Sequence, residues 1–174
     1  MNTCTFDWEI VSRFISPFTT VIIAYFVYRL WHKQKRKEVI ATESKSIIND
    51  IFEMNKYFFE ITHLNVKNEE DLLLKMNEFR ALSYQIKAKL TFLNNAIKNK
   101  DISIEIKRFG ITNNKILDLF LMHENTKNSD LLDFGLHLEL LKNNNTNEII
   151  NFQNNISSIL EICKEVAMYK VTPN

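Results

Sequence analysis

The sequence predicts an all-α fold, a single N-terminal transmembrane helix continuing into a cytoplasmic helical bundle, and three observations predict it. Gly occurs only at 110 and 135 and Pro only at 17 and 173 in 174 residues, so the stretch 18–109 holds no strong helix breaker. Apolar residues recur at steps of three and four over long distances. Residues 14–28 carry no charge, and Arg29, Lys33, Lys35, Arg36 and Lys37 follow at once.

The first element is the anchor. Fifteen uncharged residues between Arg13 and Arg29 make a helix of about 22 Å, short of a hydrocarbon core of about 30 Å. Counted over residues 10–31 the helix reaches about 33 Å, with Arg13 and Arg29 near the two interfaces, their stems buried and their heads in water. Trp8, Tyr25, Tyr28 and Trp31 then fall towards the ends, where aromatic belts form. A cleaved signal peptide would need a basic start and a small-residue cleavage site, whereas Asp7 and Glu9 precede this run and bulky residues follow it. An interfacial helix would need a charged face along its length, which the run lacks. The cations on the C-terminal side place that side in the cytoplasm at the inner membrane and leave residues 1–9 outside.

Ser16 and Pro17 read as a cap and first helical position. From there the helix runs out of the membrane through the basic boundary, and residues 32–67 carry Ile40, Ile47, Ile51, Phe58 and Ile61 at helical intervals. Asn68 with Glu69, Glu70 and Asp71 supplies a cap and an acidic first turn for a second helix. Its seam, Leu72, Met76, Phe79, Ser83, Ile86, Leu90, Leu93 and Ile97, alternates steps of four and three, the period of bundles and coiled coils. Shorter helices are expected over 101–109, ending at Gly110, then 113–123 and 129–141, with a loop at 143–146. The last helix carries Ile149, Phe152, Ile156, Ile159, Cys163 and Val166 on one face. Residues 68–174 form the bundle, and 32–174 count as one domain of ordinary size.

Charge is unevenly placed. The chain has a formal charge of +1, yet residues 39–174 hold sixteen Lys+Arg against eighteen Asp+Glu, a balance of −2. The basic excess lies at the membrane boundary, where it faces lipid; no direct nucleic-acid binding is expected of the near-neutral remainder. Cys4 and Cys163 fall on opposite sides of the membrane in this topology, and Cys163 reads as a buried thiol.

No catalytic chemistry stands out. Two distant glycines build no phosphate loop, and His32, His63, His123 and His137 lack metal-ligand spacing, so no cofactor or metal is expected. Ribonucleases of the HEPN type are small helical bundles marked by an Arg-x4–6-His pair. None of Arg13, Arg29, Arg36, Arg80 or Arg108 leads such a pair, the nearest being Arg29 and His32 with two intervening residues, so an enzyme is not expected.

The anchor carries a second pattern: Ser12, Ser16, Thr20 and Ala24 recur every four residues and put small side chains on one helix face, as spans that pack closely do. With Arg13 beside it, that partly hydroxylated face would tolerate water if several copies surrounded a lumen.

A short exterior N-terminus, one span over 10–31, the basic boundary of His32, Lys33, Lys35, Arg36 and Lys37 after Trp31, and an all-helical remainder together resemble the small membrane accessory proteins of type VI-B CRISPR systems. The resemblance covers the whole chain and is architectural. It implies a ring-shaped homo-oligomer, an octamer among the sizes, whose spans line a pore that depolarises or permeabilises the inner membrane in antiphage defence. It further implies functional coupling to an RNA-guided ribonuclease, a bundle that is HEPN-like, and Ser12, Arg13, Ser16, Thr20 and Ala24 at the span contacts or lumen. The competing expectation is a membrane-tethered adaptor whose bundle recruits a cytosolic partner.

Overall fold

The computed structural model describes residues 8–125, 135–136, 139 and 148–168, with the backbone alone for 8–12, 14, 16 and 123–125. All the elements that these residues form are helices: α1 (Trp8–Thr62), α2 (Glu69–Ile97), α3 (Lys100–Asn125) and α4 (Glu148–Ala167). The all-α expectation holds. The chain divides into two compact units, residues 1–39 and 40–174.

In the second unit the seams become a core. Ile40, Ile47, Ile51, Met54, Phe58 and Ile61 of α1 are buried, as is the entire predicted seam of α2 from Leu72 to Ile97. The predicted face of α4 from Ile149 to Val166 is buried as well. Five phenylalanines tie the four helices: Phe152 lies 4.8 Å from Phe58, 6.0 Å from Phe79 and 6.1 Å from Phe109 between ring centroids, and Phe120 meets Phe79 edge-on at 5.2 Å. The tilted and edge-on contacts among them suit the quadrupoles of aromatic rings, and Phe109 stacks on Phe152.

The polar groups in this core have partners. Ser83 Oγ donates to Asn113 Oδ1 at 3.1 Å and lies 3.5 Å from Met54 Sδ, joining α2, α3 and α1. The hydroxyls of Ser44 and Thr62 turn back onto the carbonyls of Ile40 and Phe58, the usual way a buried hydroxyl on a helix is satisfied.

Turns are short and capped. The amides of Leu64 and Asn65 bond the carbonyls of Ile61 and Glu60, with Leu64 at φ 50°. This is a Schellman ending, built with leucine where glycine is usual. Asn68 accepts from the Asp71 amide at 2.9 Å, while Asp71 accepts from the Lys67 amide at 2.9 Å, a reciprocal cap for α2. Lys98, at φ 55°, closes α2, and Asn99 Oδ1 caps α3 through the Asp101 amide at 2.8 Å.

Two expected boundaries are corrected. Pro17 lies inside α1 rather than at its first position. Proline removes one amide bond to the residue four before it. Thr19 Oγ1 donates to the Ile15 carbonyl at 2.9 Å, which adds a bond in this stretch. The helices expected over 101–109 and 113–123 are one continuous α3 running through Gly110. Gly110 does not adopt positive φ, and the buried neighbours Phe109 and Asn113 hold the helix on both sides of it. A mid-helix glycine costs about 1 kcal/mol, which that packing offsets. The expected helix over 129–141 falls largely outside the described residues, and the loop at 143–146 does so entirely.

Candidate membrane-facing segment of α1

The N-terminal part of α1 is apolar on every side. Phe18, Val21, Ile22, Ile23, Phe26, Val27 and Leu30 are each more than half exposed. Consecutive side chains point about 100° apart, so Val21, Ile22 and Ile23 alone cover most of the circumference. A soluble helix normally keeps a polar side; between Phe18 and Tyr28 only Thr19, Thr20 and the hydroxyls of Tyr25 and Tyr28 interrupt the greasy surface, and Arg29 closes it.

Aromatic rings gather where the apolar stretch ends. The His32 imidazole meets the Tyr28 ring edge-on at 4.4 Å and the Trp31 ring at 5.1 Å. Tyr25 and Phe26 meet one turn earlier at 6.0 Å. The spacing of 28, 31 and 32 on a helix brings those three rings to one face within about one turn.

The cations follow with a definite phase. Arg29, Lys33, Arg36 and Lys37 stand at i, i+4, i+7 and i+8, one face of a helix. Lys35 falls on the other side and pairs with Glu38 at 3.0 Å. All five belong to the expected boundary cluster, and helical phase sets four of them on one face and Lys35 apart from it. Spacing alone held that signal.

Of the predicted packing residues, Arg13, Thr20 and Ala24 lie on the exposed helix surface. Ser12 and Ser16 belong to the helix, but their side chains fall outside the described residues. Among the described residues no helix is long and apolar enough to cross a membrane.

The second unit offers less. Open depressions of about 440 Å³ and 450 Å³ lie beside Asp101, Glu105 and Arg108 and beside Asn95, Lys98 and Ser103. Arg108 is bound to Glu105 at 2.6 Å. Among the described residues no three His, Cys, Asp or Glu side chains gather as a metal site. His63 stacks on Phe59 at 3.9 Å, with Nδ1 3.0 Å from the Phe59 carbonyl, a place at the end of α1. Burial pushes the Cys163 thiol up to about 12, which keeps it neutral and unreactive.

Ion pairs link the helices at their rims. Lys89 Nζ reaches Asp50 at 2.6 Å and Ser46 at 2.7 Å, joining α2 to α1. Lys75 lies 3.2 Å from Glu60 and 3.3 Å from Asp71. The Lys67 amide holds the Asp71 carboxyl below its usual value, against a desolvation effect and with help from Lys75. Desolvation works to lower the Lys75 ammonium, but the hydrogen bonds and charges of Glu60 and Asp71 outweigh it and raise it.

No family model, no curated protein and no solved structure matches the chain.

Proposed function

We propose that this protein is a membrane-anchored, self-assembling helical protein whose N-terminal helix enters the inner membrane and gathers with copies of itself around water. The observation that carries the proposal is the all-round apolar surface of residues 18–28 in a helix whose apolar stretch ends in aromatic rings and cations. An exposed surface of that kind marks a membrane or an interface.

The shortness of the apolar run supports assembly over a lone span. A helix with Pro17, Thr19, Thr20 and flanking arginines is costly alone in lipid. In a ring the hydroxyl-bearing face, with Thr20 and Arg13, turns to a wet lumen while the greasy remainder faces lipid. Arg13 and Arg29 reach the interfaces on their long stems, and mismatch of a few ångströms is met by local thinning. The arrangement is the one implied by the resemblance to type VI-B CRISPR accessory proteins, and on that reading the pore depolarises the membrane during infection. The bundle then serves as the assembly domain, and catalysis has no part in it.

The test is membrane potential and dye entry in cells expressing the protein during phage challenge. The proposal expects loss of potential; an intact potential, with the protein found in the membrane, refutes the pore. Exchange of residues 10–31 for an unrelated single-span anchor separates pore from adaptor, because an adaptor survives the exchange and a pore does not.

A further inference from the structure

The four cations that share a face of α1 are more than a topology signal. We infer that Arg29, Lys33, Arg36 and Lys37 form a binding face for the headgroups of anionic phospholipids, an inference that rests on the membrane reading above.

Three features converge on that ligand. The first is phase: positions 29, 33, 36 and 37 fall within an arc of about 120° at 100° per residue, so their charges add in one direction. Lys35, outside the arc, spends its charge on Glu38. The second is depth. From Arg29 to Lys37 the helix rises about 12 Å, which puts Arg29 and Lys33 at the headgroups and the other two within about one Debye length of them. The third is the ring cluster of Tyr28, Trp31 and His32 at the level of Arg29 and Lys33. Amphipathic aromatic rings favour that same interfacial layer.

Charge elsewhere makes the attraction local. Residues 39–174 carry a balance of −2, so the bulk of the chain gains nothing from a negative surface. A Lys or Arg near an anionic leaflet favours association about fivefold. Four on one face, with no acid interleaved between 29 and 37, suffice to enrich anionic lipid around the helix. An acidic protein would meet the same charges, but not the aromatic level directly beside them; that pairing selects the bilayer.

Trp31 reports the layer directly. Trp8→Phe leaves it as the only tryptophan. The full-length variant is placed in vesicles of phosphatidylcholine with one fifth phosphatidylglycerol, one lipid or the other carrying brominated chains. At equal mole fraction, brominated phosphatidylglycerol should quench Trp31 at least about twofold more than brominated phosphatidylcholine. High salt should shrink the preference, and the combined changes Lys33→Gln, Arg36→Gln and Lys37→Gln should abolish it. Equal quenching by the two lipids overturns the inference while leaving the membrane reading intact. A preference that survives the triple change overturns the assignment to this face. No quenching by either lipid overturns the membrane reading, and the inference with it.

Discussion

Residues 18–31 and 40–61 belong to one helix and are both rich in large apolar side chains, yet they meet opposite fates. In the later stretch Ile40, Ile47, Ile51, Met54, Phe58 and Ile61 form a narrow stripe that is at most 2% exposed. Between them stand Glu43, Lys45, Asn49, Glu53 and Lys56, which keep the other side wet. In the earlier stretch the apolar residues occupy all sides and remain exposed. Pattern decides the outcome here more than composition. A stripe is satisfied by neighbouring helices of its own chain; a sleeve requires a surrounding medium or several copies.

Truncation at matched positions separates the two regions most sharply. Phe58→Ala should lower the unfolding free energy by about 3–5 kcal/mol, because it empties the centre of the aromatic core. Phe18→Ala should change it by less than about 0.5 kcal/mol in detergent, measured by the same denaturant titration. Equal losses at the two positions would erase the distinction.

A smaller effect is expected within the stripe's own core. Ser83→Val removes the donor to Asn113 Oδ1 and should cost about 1–3 kcal/mol. Lys98→Gly works in the opposite direction: the residue has φ 55°, so glycine should stabilise the α2 terminus by about 0.5–1 kcal/mol, read as a rise in Tm.

The smallest effect is the pH response of the rim. Asp71 has a lowered folded value, so its contribution is present above about 3.8 and lost as pH falls through the still lower folded value. Lys75 has a raised value, so its contribution is complete below about 10.5 and lost as pH rises through the folded value. Cys163 adds to the alkaline loss between its ordinary value near 9.0 and about 12. Thermal melts should therefore show a plateau between these limits, and Asp71→Asn should flatten the acid edge and, by removing one of the two carboxylates that raise Lys75, soften the alkaline edge as well.

Much of this was legible in sequence because helical periodicity is a direct record of burial. The seams of α2 and α4 were readable residue for residue. Breakers were less faithful guides. Gly110 looked like a terminus, but glycine only weakens a helix, and the packing of Phe109 and Asn113 decides the matter. Leucine at the left-handed position 64 carried no warning, since side-chain type predicts glycine there. For the candidate site, sequence located the apolar run and its cations. It left the cations undivided, although their helical phase, readable from the spacing, already sets Lys35 apart from the other four.

The central claim is that residues 18–31 of α1 are covered by lipid. Alkaline carbonate extraction of membranes from cells making the full-length chain tests it most directly. The account predicts that the protein stays in the membrane pellet and is released only by detergent; recovery in the aqueous supernatant without detergent would contradict it.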